Sequence, residues 1–167
     1  MRYRHVIWDW NGTLMDDAWL CVEILNGLMS EAKLRPLTVD EYRADFSFPV
    51  VKFYERRGFD FKTHSFDKVS EQYICAYNQR RFECQLQPGT VEALAKLQKA
   101  GLEQSVLSAY REDTLREAVE HYGLTKFFTR LSGLDNIRAD GKVVRGGQSL
   151  LRGARRAYNY ARQPRQN

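Results

Sequence analysis

Asp9 is the residue of this sequence best placed to do chemistry. It closes residues 3–9, YRHVIWD, a short run rich in β-forming side chains, and Asn11-Gly12 directly after it is a turn signal. A carboxylate that ends a buried strand and precedes a tight turn stands at the mouth of a sheet, among backbone N–H groups. From there it can attack phosphorus and form an aspartyl-phosphate. The turn amides can then hold the phosphoryl oxygens. The same residues also read as an Asx-type turn carrying a solvated Asp.

Such a carboxylate needs elements to position it. From Asp17 to about Gln85 the pattern is helical. In AWLCVEILNGLM the apolar Trp19, Val22, Ile24, Leu25 and Leu28 roughly keep a helical period. Residues 50–57 and 66–82 are predicted as further helices, with Pro36 and Pro49 as punctuation and no strand expected. Pro88-Gly89 marks a turn. Thr90 is expected to N-cap the helix VEALAKLQKA, and Gly101 to end it. A second strand is predicted over 104–108, a helix over 112–122 closed by Gly123, and a third strand over 127–131. Strands alternating with helices at this spacing argue for a parallel sheet with crossover helices. After Arg145 only a short helix over 149–160 is indicated.

The segment Val6-Ile7-Trp8-Asp9-Trp10-Asn11-Gly12-Thr13-Leu14-Met15-Asp16 resembles the first signature of the haloacid dehalogenase-like hydrolase superfamily, hhhDxDGTLxD. It matches at Asp9, Gly12, Thr13, Leu14 and Asp16. The helical stretch follows where that family carries its helical cap. Leu86-x-Pro88-Gly89-x-x-x-x-Leu94-x-x-Leu97-x-x-x-Gly101 is similar to the family's return to the core. Ser108-Ala109 at a strand end resembles the second signature, and Ala139-Asp140-Gly141-Lys142 the approach to the third. The order of the four segments carries the resemblance.

The resemblance implies an α/β fold: a Rossmann-like parallel sheet with flanking helices and an α-helical cap insert. Core is expected at 1–16 and 86–145, cap at 17–85, and a basic tail at 146–167. It implies a Mg²⁺-dependent phosphatase of the phosphoglycolate-phosphatase type. Asp9 would be nucleophile and metal ligand, and the Asn11 backbone carbonyl a second ligand. Gly12, Thr13, Ser108, the Ala109 amide and Lys142 would hold the phosphoryl group. An anionic nucleophile meeting an anionic phosphate needs such cations nearby. Blander readings stand beside these: Ser108 as a helix cap, Lys142 as a solvated loop lysine, and Asp16 and Asp17 as acids at a helix start. Phe48, Lys52 and Arg56, in FSFPVVKFYERR, are the candidate specificity residues of the cap. Ordinary amphipathic packing is the alternative there.

Two features depart from the pattern. Asn11 stands where the family's phosphatases usually have the general acid–base Asp. That help is typically worth about 10²–10⁴ in rate, so a slow or impaired enzyme is expected. The fourth, acidic signature is missing, because no Asp or Glu follows Asp140. Mg²⁺ prefers six oxygens and would be weakly held. C-terminal strands are expected to be missing as well. The first strand would then be an apolar edge open to self-association, and the break near Arg145 would reflect truncation or a frame shift.

Composition excludes other classes. The chain has 167 residues and a net charge of +5, but six Arg and no acid lie between Arg145 and Asn167. Residues 1–144 then hold 20 basic against 21 acidic residues, about −1 net. Nucleic-acid binding is therefore not expected of the body, and Tyr158 and Tyr160 among the tail arginines are its only support. No apolar run approaches the roughly 20 residues that span a bilayer, and no signal peptide is evident. A cytoplasmic protein is expected. Cys21, Cys75 and Cys84 lack metal or disulfide spacing and read as reduced thiols. His5, His64 and His121 read as structural or surface residues. Two functions compete: a phosphatase for a small phosphorylated metabolite, and a catalytically inactive fold that binds a phospholigand or a protein.

Overall fold

The computed structural model describes residues 4–63 and 65–134. Lys142 and the basic tail lie outside that range, as do His64 and the third-signature run. In chain order the elements are β1 (His5–Trp8), β2 (Met15–Asp16), α1 (Ala18–Glu31), α2 (Val39–Asp45), α3 (Val50–Arg56), α4 (Phe66–Arg80), β3 (Gln85–Leu86), α5 (Thr90–Lys99), β4 (Glu103–Arg111), α6 (Glu112–His121) and β5 (Arg130–Leu134). Met15–Gln85 forms one compact unit; the segments up to Leu14 and from Leu86 form the other.

The second of these is α/β. Its sheet runs β1-β4-β5, parallel throughout. His5 to Trp8 pair in register with Glu103 to Val106. Buried Gln104 pins that register. Its amide accepts from Trp8 Nε1 at 3.0 Å and donates to the Leu94 carbonyl of α5 at 2.9 Å. Both ends of a buried amide are thereby satisfied, which removes the cost of hiding it. α6 buries Leu115, Ala118 and Val119, the i, i+3, i+4 stripe of a helix lying on a sheet. Among the described residues β1 has a neighbour on one side only, and Ile7 is 43% exposed.

The other unit is helical, as its sequence pattern implies. Its core gathers Leu25, Leu28, Met29, Leu37, Phe53, Tyr54, Phe59 and Val69. α1 is buried along most of its length, from Ala18 and Leu20 to Met29. α2 starts with a capping box in which Thr38 and Glu41 satisfy each other's backbone N–H. A polar cluster lies within this apolar setting. Tyr77 donates to the buried Asp17 carboxylate at 2.6 Å, and the Cys21 thiol lies 3.9 Å from the same oxygen.

Four local expectations need correction. The third strand is β5, Arg130–Leu134, because residues 125–127 instead make a 3₁₀ turn that buries Phe127. The fourth helix ends at Arg80, and a 3₁₀ turn follows over Arg81–Glu83. Two short strands, β2 and β3, pair with each other at the borders of the stretch where none was expected, β3 beginning on its last residue, Gln85. Thr90 is not the cap of α5. Gly89 is, at φ 81°, and Thr90 is the first helical residue. Gly101 and Gly123 do end their helices with positive φ.

Burial, then the Asp17 charge, pushes both the Cys21 and the Cys84 thiol up to about 12. Both are buried and Cys75 is exposed. Thiolate is the reactive form, so at pH 8 a thiol reagent should titrate one cysteine in the native protein and all three after denaturation. A mass-spectrometric map of the labelled sites checks this.

Candidate active site

The parallel register sets the end of β1 beside the middle of β4, which runs on to Arg111. Trp8 is opposite Val106, so Asp9 directly follows β1 and Ser108 lies two residues further along β4, on strands about 4.8 Å apart. In open α/β sheets the C-terminal edge of the strands is where ligands bind. Asp9 is exposed, and Thr13 donates to its Oδ2 at 3.4 Å. The next residue, Trp10, is fully buried and packs on Tyr122 with ring centroids 6.1 Å apart. Burying the indole fixes the direction in which the chain leaves β1.

Residues 10–14 form a tight turn. The Trp10 carbonyl accepts from the amides of Thr13 at 3.3 Å and Leu14 at 3.0 Å. Gly12 sits inside it at φ 71°, a conformation that side chains rarely adopt. Gly12 and Thr13 are exposed and Asn11 is half-buried.

Ser108 is buried, and β4 is irregular at this point. Leu107 pairs with Ser132 and Arg111 with Leu134, so four residues advance on one strand against two on the other. A bulge of this kind re-aims side chains and is common beside active sites. The Ser108 hydroxyl accepts from the Tyr110 amide at 3.0 Å. That leaves its proton to donate. Ser108 does not cap α6, whose N-cap is Arg111. Ala109, next in the bulge, is exposed.

Of the remaining candidates, Lys142 lies outside the described residues. Phe48 is 66% exposed. Lys52 donates to Glu55 at 2.7 Å, and Arg56 donates to Asp45 at 3.3 Å and Ser47 at 2.7 Å. Both cations are thus paired within their own unit. Asp16 pairs with Arg43 at 3.6 Å, while Asp17 is buried against Tyr77. His5 hydrogen-bonds Ser105, and His121 stacks edge-on against Tyr122. Among the described residues no three of His, Cys, Asp and Glu converge as a metal cluster. No described helix is long and apolar enough to cross a membrane.

Residues 6–142 match the family model described as haloacid dehalogenase-like hydrolase. The chain belongs to that family. It is 27% identical over 131 residues to phosphoglycolate phosphatase of Agrobacterium fabrum, a match covering 75% of this chain and 56% of the relative. It thus spans little more than half the length of that relative. Among solved structures it is similar to a predicted phosphoglycolate phosphatase of Haemophilus somnus (TM-score 0.64, 15% identity, 89% of this chain and 72% of that one). It is also similar to protein tyrosine kinase A of Mycobacterium tuberculosis (TM-score 0.70, 22% identity, 91% and 69%). At these identities the structures speak for the fold alone.

Gly133 has a packing role that the sequence does not announce. A Cβ there would lie 2.5 Å from the Tyr110 carbonyl oxygen and 2.6 Å from the Glu112 amide nitrogen. Only a glycine lets β5 approach the bulge. Gly133→Ala should cost roughly 1–3 kcal/mol, the usual range for overpacking. A denaturant melt against the wild type would show it, and an unchanged midpoint would refute the tight approach.

Proposed function

We propose that this chain is a phosphomonoester hydrolase that works through an aspartyl-phosphate on a small phosphorylated metabolite. The observation that carries the reading is the exposed Asp9 carboxylate just past the end of β1, with Ser108 in the bulge of the adjacent parallel strand, two residues beyond the partner of Trp8. An Asp9 oxygen attacks phosphorus as the ester P–O bond breaks, and the leaving alkoxide takes a proton from solvent. Water then attacks the phosphoryl group, releasing phosphate and the free carboxylate. The amides around Gly12 and Thr13, the Ser108 hydroxyl and the Ala109 amide are assigned to the phosphoryl oxygens. Lys142 is assigned to charge neutralisation on the family resemblance.

Mg²⁺ dependence is part of the proposal. Asp9 and the Asn11 carbonyl fit as two of the six oxygens the ion prefers, and so few protein ligands imply weak affinity. When bound, the cation offsets repulsion between nucleophile and phosphate. Phe48 remains the proposed specificity residue of the helical unit. Lys52 and Arg56 can reach a substrate only by giving up Glu55 and Asp45.

Asn11 gives specific support to a second reading, a non-catalytic module that binds a phospholigand or a protein. An amide donates a hydrogen bond but supplies no proton. Hydrolysis of p-nitrophenyl phosphate with and without Mg²⁺ separates the two. Asp9→Asn should abolish the rate; an unchanged rate removes Asp9 as nucleophile. Asn11→Asp should raise kcat on alkyl phosphates, by up to about 10²–10⁴ if general acid help is all that is missing. Equal kcat in the two proteins would place the proton donor elsewhere.

A further inference from the structure

We propose that Thr90 is a positioning residue for Asp9, acting through the carbonyl of Leu14. The turn after Asp9 is fastened at its far end from a distant part of the chain. The Leu14 carbonyl accepts two donors: the Gln87 amide at 2.9 Å and the Thr90 hydroxyl at 3.3 Å. Leu14 and Thr90 are both buried, so the hydroxyl bond is shielded from competing water. Gln87 and Thr90 also hold each other, the Thr90 amide donating to the Gln87 carbonyl at 3.1 Å. Gly89 fills the cap position of α5 with no side chain. The Thr90 hydroxyl is therefore directed to the Asp9 turn and not to its own helix.

The fastening reaches the carboxylate in two steps. Leu14 and Thr13 both donate to the Trp10 carbonyl, which sets the turn, and the Thr13 hydroxyl braces Asp9 Oδ2. That brace is long, at 3.4 Å, and exposed. It holds Asp9 only as well as the Thr13 backbone is held. A purely structural threonine would contribute stability evenly to the unit. A positioning threonine contributes order to residues 9–14 in particular.

The catalytic half of this inference rests on Asp9 being the nucleophile; the ordering half does not. The test uses the full chain with Thr90→Val, which keeps the shape and deletes the hydroxyl, and Thr90→Ser, which restores it. Thr90→Ala makes the same deletion if the valine methyl is not accommodated. In the hydroxyl-less variant, amide hydrogen exchange at Thr13 and Leu14 should quicken roughly threefold to tenfold, the worth of one hydrogen bond. Exchange at Val106 and Leu115 should hold. On p-nitrophenyl phosphate kcat should fall by a similar factor with KM little changed, and serine should recover both readouts. Unchanged exchange at Thr13 and Leu14, or a uniform rise that includes Val106, overturns the inference. If the wild type shows no Asp9-dependent hydrolysis, the phosphatase reading falls, and the exchange pattern still decides whether Thr90 orders the turn.

Discussion

The parallel pairing of β1 with β4 is the constraint on which the rest depends. Parallel strands point their C-terminal ends to one edge, so Asp9 and Ser108, almost a hundred positions apart, both follow the paired residues Trp8 and Val106 on adjacent strands. The pairing alone does not fix which residues arrive. The side-chain period of a strand is two, so a slip by one residue would turn Asp9 away and bring a different face of β1 to the core. Gln104 guards against this, because its amide finds Trp8 on one side and the Leu94 carbonyl on the other only in the observed register. The chain then leaves β1 around Trp10, whose burial beside Tyr122 gives the exit its direction.

β4 pays for its part of the edge in regularity. The bulge at residues 108–110 forgoes ladder hydrogen bonds, and the Ser108 hydroxyl replaces one of them by accepting from the Tyr110 amide. β5 can close on that irregular backbone only through Gly133. A serine and a glycine on neighbouring strands thus form one local solution. The need for the glycine is not evident when it is considered alone.

Much of this was legible in the residues. The strand–turn unit at Asp9, the helical stretch to Gln85 and the alternation after it all follow from hydrophobic period and turn chemistry, which act over a few neighbours. The parallel sheet and the family follow from the order of those segments. What escaped the sequence depends on contacts between distant parts of the chain. Thr90 has the composition of a cap, and only the fold reveals that Gly89 holds that place while the hydroxyl reaches Leu14. The bulge arises from a mismatch between two strands, so neither strand announces it. The third strand was expected three residues early, because the buried Phe127 looks like a strand residue until its 3₁₀ turn is seen. The pairs Arg56–Asp45 and Lys52–Glu55 could not be anticipated from a cluster of basic and aromatic residues.

The helical unit carries its own closure. Its first residues, in β2, pair with its last, in β3. Just inside them, Tyr77 of α4 clasps Asp17 at the start of α1. An excursion whose entrance and exit are neighbours can be lengthened, shortened or exchanged without re-threading the strands on either side of it. Such a segment leaves the chain path of its host as it would be without it.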